Sequence, residues 1–67
     1  MEKFAERLKG LRLEKGLSQE QLAKATGLSQ SAITYWEIEK RVPNGNAIVI
    51  LAKFFSVTAG YLLGTED

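Results

Sequence analysis

The chain has no cysteine, no histidine and only one proline among its 67 residues. These absences leave no disulfide framework, no thiolate or imidazole to bind a metal ion, and no nucleophile–histidine pair for triad-type catalysis. The remaining polar residues form no cluster of acids, bases or nucleophiles with catalytic spacing. We therefore expect no enzyme, no catalytic residues, no metal site, no cofactor and no small-molecule ligand within this chain.

Long apolar segments are also lacking. The longest, Ala47 to Ala52, is far shorter than the roughly 20 residues that span a bilayer, and the opening MEKFAERLKG has no apolar block of the signal-peptide kind. We expect no membrane contact and a cytoplasmic location. The nine Lys and Arg residues nearly balance eight Asp and Glu, for a net charge of +1, so any attraction to nucleic acid must come from local placement.

Glycines and capping residues divide the apolar pattern into five predicted helices. Gly16 is expected to stop the first helix, and Ser18 with Gln21 has the spacing of a capping box before the second. The predicted ranges are about 2–15, 19–26, 30–38, 45–55 and 59–63. Together they indicate a single all-α domain over residues 1–67, folded as a compact five-helix bundle with a central helix-turn-helix unit.

The connection between the second and third helices is unusually short, since it comprises only Gly27, Leu28 and Ser29. A tight, glycine-containing turn between two short helices is typical of the helix-turn-helix unit. It also aligns two helix N-termini, at Gln19 and Gln30, whose free N–H groups attract phosphates.

A helical wheel separates the third helix into two faces. The inner face is apolar, and the outer face comprises Gln30, Ser31, Thr34, Tyr35 and Ile38. Its amide and hydroxyl groups can exchange hydrogen bonds with base edges in the major groove of DNA. The alternative is a merely solvated polar face, but such a face usually carries charged residues, and this one has none before Glu37.

The segment LKGLRLEKGLSQEQLAKATGLSQSAITYWE resembles the phage repressor and Cro family of helix-turn-helix regulators, also called the XRE family. The later segment RVPNGNAIVILAKFFSVTAGYLLG is similar to the last two helices of that family, so the resemblance covers nearly the whole chain. It implies a lambda-repressor-like domain that binds double-stranded DNA and regulates transcription, most often as a repressor. Such a protein would be bacterial or phage-encoded, and nucleoid-associated when bound.

The resemblance also implies roles for individual residues. The base-reading set would be Gln30, Ser31, Thr34 and Tyr35, with Gln30 reaching deepest. Contacts to the DNA backbone would come from Gln19, Ser29, Lys40 and Arg41. Gln19 would bond either a phosphate or the side chain of Gln30. Arg12 and Glu37 would form a partly buried ion pair that ties the first helix to the third.

The loop after the third helix departs from the family pattern, because Ile38 and Glu39 stand where a polar residue and a glycine are usual. That glycine takes a left-handed conformation. Either the third helix runs longer here, or the loop is strained by a left-handed glutamate.

The last two helices also depart from the pattern, with apolar residues where relatives are often polar. Ile50, Phe54, Ala59 and Tyr61 would form an apolar patch, which predicts a homodimer through these helices on a palindromic operator. The alternative is that the fifth helix covers these side chains. A second hypothesis for function is a protein-interaction module on the same fold: an antitoxin, antirepressor or adaptor.

Overall fold

The computed structural model describes residues 1–67. Its elements are five helices: α1 (Glu2–Glu14), α2 (Gln19–Thr26), α3 (Gln30–Glu37), α4 (Gly45–Phe55) and α5 (Ala59–Leu63). There is no strand, so the predicted all-α five-helix fold is confirmed. The first and third helices end one residue earlier than predicted, because Lys15 and Ile38 are C-cap residues that lie half outside their helices.

Side-chain oxygens begin each of the four later helices. Ser18 and Gln21 form the predicted capping box: the Ser18 hydroxyl accepts from the Gln21 N–H at 3.0 Å, and the Gln21 amide oxygen accepts from the Ser18 N–H at 2.8 Å. Ser29, Asn44 and Thr58 accept in the same way from the N–H group three residues further on. Each cap stabilises its helix by about 1 kcal/mol, because it satisfies an N–H group that has no partner within the helix.

Four helices end in a Schellman motif, in which a left-handed residue directs two N–H groups back to the last helical turn. Gly16 and Gly64 take that position after α1 and α5, whereas Glu39 (φ 63°) and Ser56 (φ 56°) take it after α3 and α4. Left-handed backbone costs a residue with a Cβ about 1 kcal/mol or more. Of the two possibilities left open by the sequence, the strained loop is therefore the one that occurs.

The core collects the apolar faces of all five helices. Six large side chains are almost completely buried: Phe4, Leu8, Leu22, Ile33, Leu51 and Leu62. Helix α1 packs against α3 and α5, while α2 packs against α3 and α4. The Phe4 ring meets the Trp36 ring edge to face, with centroids 6.0 Å apart. Because Ile33 and Trp36 of α3 are buried in the core, the opposite face of α3 points toward solvent.

The apolar residues expected to form a dimer patch are more covered than the sequence suggests. Ile50, Phe54 and Tyr61 are half-buried, and only Ala59 of the four is exposed. The Lys15 ammonium lies 5.6 Å from the centre of the Phe54 ring. On the exposed side of α4, Val49 is instead accessible, at 50% of its surface. The expectation of a continuous exposed patch is corrected accordingly.

Arg7 holds the C-terminal end of the chain against α1, a role that the sequence did not reveal. Its guanidinium lies 4.3 Å from the centre of the Tyr61 ring and donates to the carbonyl oxygens of Tyr61 and Glu66, both at 2.6 Å. This contact explains why Tyr61 is half-buried.

The left-handed Glu39 yields a test of backbone strain. We expect Glu39→Gly to raise the free energy of unfolding by about 0.5–1 kcal/mol, because glycine adopts the left-handed conformation without steric cost. Urea denaturation measures the difference. Glu39→Ala is the matched control, since it removes the same charge but keeps the Cβ. If both variants raised the free energy of unfolding equally, the effect would come from the lost charge, and the backbone-strain explanation would be wrong.

Candidate nucleic-acid interface

The four residues of the predicted base-reading set lie together on the outer face of α3. Gln30, Ser31, Thr34 and Tyr35 line one shallow concave surface, and no other residue contributes to it. Gln30, Ser31 and Tyr35 are exposed, whereas Thr34 is half-buried. The concave surface thus offers an amide, two aliphatic hydroxyls and a phenol to whatever approaches the helix.

A second concave surface adjoins the first at Tyr35, and its other lining residues are Lys40 and Arg41. The Arg41 guanidinium carbon lies 5.1 Å from the centre of the Tyr35 ring, within the range of a cation–π contact. The Schellman motif brings these cations here: the Lys40 N–H donates to the Tyr35 carbonyl oxygen at 2.8 Å. The two basic residues predicted to contact the DNA backbone therefore lie directly beside the base-reading set.

The ion pair expected between α1 and α3 is present and has two parallel hydrogen bonds. Arg12 Nε donates to Glu37 Oε2 at 2.7 Å, and Arg12 Nη2 donates to Glu37 Oε1 at 2.8 Å. The Glu37 side chain is only 3% exposed. A third Arg12 nitrogen, Nη1, donates to the Leu17 carbonyl oxygen at 2.8 Å, which ties in the segment before α2. The hydrogen bond to Glu37 raises the pKa of Arg12 although burial acts to lower it, so the guanidinium keeps its charge.

Gln19 extends this ion pair into a chain of hydrogen bonds that ends on the outer face of α3. Its Nε2 donates to Glu37 Oε1 at 3.1 Å, and its Oε1 accepts from the Thr34 hydroxyl at 2.5 Å. Two roles were expected for Gln19, a phosphate contact or support of the Gln30 side chain, and no hydrogen bond joins Gln19 to Gln30 in this structure. The side-chain amide of Gln19 instead forms hydrogen bonds with Glu37 and Thr34. Thr34 and Glu37 lie three residues apart along α3, close enough for one amide to reach both, but nothing in the sequence indicates that Gln19 supplies it.

Ser29 is exposed at the N-terminus of α3. Its hydroxyl oxygen accepts from the Ala32 N–H at 3.0 Å, as a helix cap does, and its own proton is directed to no protein group. The hydroxyl can therefore donate outward while it caps the helix.

No group of three or more Asp or Glu side chains is arranged to hold a metal ion. None of the helices combines the length and apolar character needed to cross a membrane.

Helix α3 is short and directs amides and hydroxyls outward. A second helix, α2, packs against it across a tight turn, and two cations lie at its C-terminal end. These features define a helix-turn-helix DNA-binding domain. The profile of the HTH_3 helix-turn-helix family matches residues 8–62. The chain belongs to this family of phage repressor and Cro-type (XRE) regulators, whose members bind DNA and regulate transcription.

Relatives and a solved structure agree with this assignment. The chain is 45% identical over 64 residues to the HTH-type transcriptional activator BcrR of Enterococcus faecalis, an alignment that covers 96% of this chain and 31% of BcrR. It is 36% identical to YobD of Bacillus subtilis, named an uncharacterized HTH-type transcriptional regulator, over 96% of this chain and 57% of YobD. The chain thus spans about a third to little more than half of these curated relatives.

The crystal structure of the restriction-modification controller protein C.AhdI from Aeromonas hydrophila is similar over nearly its whole length. The TM-score is 0.81 at 38% sequence identity, and the alignment covers 91% of this chain and 92% of that chain.

The buried ion pair supplies a test of what holds α3 in place. We expect Glu37→Ala to lower the free energy of unfolding by about 3 kcal/mol, because it leaves Arg12 buried without a counter-charge. The double variant Arg12→Met with Glu37→Leu should recover much of the loss, since no unpaired charge remains. Glu14→Ala, at an exposed glutamate of α1, is the control and should change stability by less than about 0.5 kcal/mol. If Glu37→Ala matched that control in urea denaturation, the pair would not hold the fold together.

Proposed function

We propose that this domain binds a palindromic DNA operator as a homodimer and represses transcription by occluding a promoter. The observation that carries the proposal is the concave outer face of α3, where Gln30, Ser31, Thr34 and Tyr35 meet. Glutamine suits the paired donor and acceptor of adenine, and hydroxyl groups suit several bases. In this proposal Gln30, at the N-terminal end of α3, reaches deepest into the major groove.

The residues around that face are suited to contact phosphates. Lys40 and Arg41 supply positive charge beside Tyr35, and Ser29 supplies a hydroxyl at the helix N-terminus. Gln19 uses one of its two Nε2 protons on Glu37 and can direct the other to a phosphate. We propose these four residues as the contacts that position the domain without reading sequence.

Electrostatic attraction to DNA is weak in this proposal, because the net charge is only +1 and Glu39 is exposed in the same loop as Lys40 and Arg41. Few phosphates would be neutralised per domain, so the affinity should depend only modestly on salt. Discrimination between sequences then rests mainly on base contacts.

The small size of the domain favours a dimer. One module of this kind contributes only about 600–1,000 Å² of contact with DNA, which is too little for high specificity. Two copies related by two-fold symmetry would place two α3 helices about 34–36 Å apart, one turn of DNA. We propose that Ile50, Phe54, Ala59 and Tyr61, together with the exposed Val49, contribute the surface between the copies.

The direction of regulation depends on where the operator lies. BcrR is named an activator and C.AhdI a controller protein, and neither name specifies repression. Repression by occlusion needs no contact other than those with DNA and a second copy, which is why we propose it. A regulator of this class would act on the chromosome, hence in the cytoplasm and on the nucleoid.

A protein-interaction module is the second candidate. The near-neutral charge and the exposed Glu39 favour it, because both weaken attraction to DNA. An antitoxin, antirepressor or adaptor would use the apolar residues of α4 and α5 for a different partner.

Selection from a random pool of duplexes tests the regulator proposal. We expect one palindromic sequence to be enriched. Gln30→Ala should then lose preference at one base position of each half-site, by about 1–3 kcal/mol, because the lost contact reads a base. Lys40→Ala is the matched comparison: it should weaken binding to all sequences and reduce the salt slope by about 1, because its contact is with a phosphate.

Two results would oppose this proposal. A uniform loss of affinity in Gln30→Ala would remove the role given to Gln30. A blank selection at low salt, combined with a stable protein partner in a pull-down, would favour the interaction module.

The dimer is tested by its mass and its DNA affinity together. We expect Ile50→Lys to shift the sedimenting species toward the monomer and to weaken operator binding about tenfold or more, because the two half-sites are then bound independently. Leu13→Lys is the control, since Leu13 is an exposed leucine of α1 outside the proposed interface. Equal behaviour of the two variants would place the interface elsewhere.

A further inference from the structure

We infer that Thr34 offers only hydrogen-bond acceptors to DNA, and that it therefore selects a base carrying a major-groove amino group, adenine or cytosine, at the position it contacts. This inference rests on the proposed function. It comes from the hydrogen-bond chain that runs from Arg12 through Glu37 and Gln19 to Thr34.

The first link of the chain sets the direction of all the others. Both Glu37 oxygens accept from the charged Arg12, at 2.7 and 2.8 Å, so Glu37 is a carboxylate and can only accept. The group of Gln19 that lies 3.1 Å from Glu37 Oε1 must therefore be its NH₂. The amide orientation of Gln19 follows from charge and leaves no second choice.

The second link, between Gln19 and Thr34, determines whether the Thr34 hydroxyl donates or accepts. With its NH₂ turned to Glu37, Gln19 presents its carbonyl oxygen to the Thr34 hydroxyl, 2.5 Å away. A carbonyl oxygen only accepts, so the hydroxyl must donate its single proton to it. Thr34 Oγ1 is left with lone pairs and no proton for any other partner.

This polarity changes what Thr34 can recognise. A free hydroxyl can donate to guanine O6 or thymine O4 and can equally accept from adenine N6 or cytosine N4. Thr34 lies on the concave face with Gln30, Ser31 and Tyr35, and its committed oxygen can only accept there. It would bond the amino groups of adenine and cytosine, and it would repel the carbonyl oxygens of guanine and thymine.

Ser31 is the natural comparison within the same surface. It is exposed, and its hydroxyl donates to no protein group. Its proton can turn toward either kind of base, so it should not discriminate in the same way. Gln19 and Glu37 are thus positioning residues that act through Thr34.

Base profiles of three variants test the inference on the operator obtained by selection. Wild-type protein should prefer adenine or cytosine over guanine or thymine at one position per half-site, by roughly 3- to 10-fold. Thr34→Val, which removes the oxygen and keeps the branched shape, should abolish that preference. Gln19→Ala should relax it, because the hydroxyl becomes free to donate, and Glu20→Ala, an exposed neighbour on α2, should leave it unchanged.

The direction of the Thr34 hydroxyl can also be measured without DNA. We expect its proton to exchange with water at least about tenfold more slowly than that of Ser31 in NMR spectra, because it is hydrogen-bonded. Gln19→Ala should bring the two exchange rates together. Circular dichroism of each variant verifies that the helices are retained.

The outcomes separate the inference from the proposed function. A blank selection overturns the regulator proposal and the base preference with it. An enriched operator whose profile is unchanged in Thr34→Val, or which carries guanine or thymine at the position lost in that variant, overturns the inference alone. Loss of the proposed phosphate contact in Gln19→Ala lowers affinity equally for all four bases, so the decisive result is the base preference: its full retention in that variant would also overturn the inference.

Discussion

The bidentate ion pair between Arg12 and Glu37 is the interaction on which the orientation of the outer face of α3 depends. Helix α3 has only eight residues, too few to be stable alone, and its inward contacts are those of Ile33 and Trp36. Apolar burial stabilises the helix but is not directional, so it leaves rotation about the helix axis weakly determined. Two parallel hydrogen bonds of fixed geometry supply the missing direction, because a planar guanidinium and a planar carboxylate meet in one orientation.

The same pair has a second consequence, which concerns hydrogen bonding at the surface. A buried carboxylate needs all its lone pairs satisfied, and Gln19 supplies a further donor to Glu37. The Gln19 amide oxygen in turn accepts the proton of the Thr34 hydroxyl. The ion pair between α1 and α3 thus determines which hydrogen-bonding groups remain free on the outer face of α3. No buried side-chain nitrogen or oxygen lacks a partner, so the network leaves no buried polar group unsatisfied.

Much of the fold could be predicted from the sequence, because its signals are local. Ser18 and Gln21 form the expected capping box before α2, and Gly16 takes the expected left-handed conformation after α1. The wheel of α3 separated the buried Ile33 and Trp36 from the outward-facing residues, because helical periodicity alone decides it. The same wheel placed Gln30, Ser31, Thr34 and Tyr35 on the outer face, and the resemblance to a family supplied the roles proposed for them.

The features that sequence analysis missed depend on contacts between distant residues. Gln19 and Thr34 are 15 residues apart, and Arg7 and Tyr61 are 54 apart, so no local pattern indicates either pair. A helical wheel predicts which face of a helix a residue lies on, but not which side chain of another helix packs against that face. The contact between Lys15 and the Phe54 ring was therefore not predicted. The choice between a longer α3 and a left-handed Glu39 involves only about 1 kcal/mol, which tertiary packing easily outweighs.

NMR titration shows whether the outer face of α3 contacts bases. The isotope-labelled domain would be titrated with its selected duplex and with a duplex of equal length and scrambled sequence. We expect the side-chain amide of Gln30 and the signals of Ser31, Thr34 and Tyr35 to respond differently to the two duplexes, and those of Lys40 and Arg41 to respond alike. Identical responses of the α3 signals to both duplexes, or changes confined to α4 and α5, would contradict that expectation.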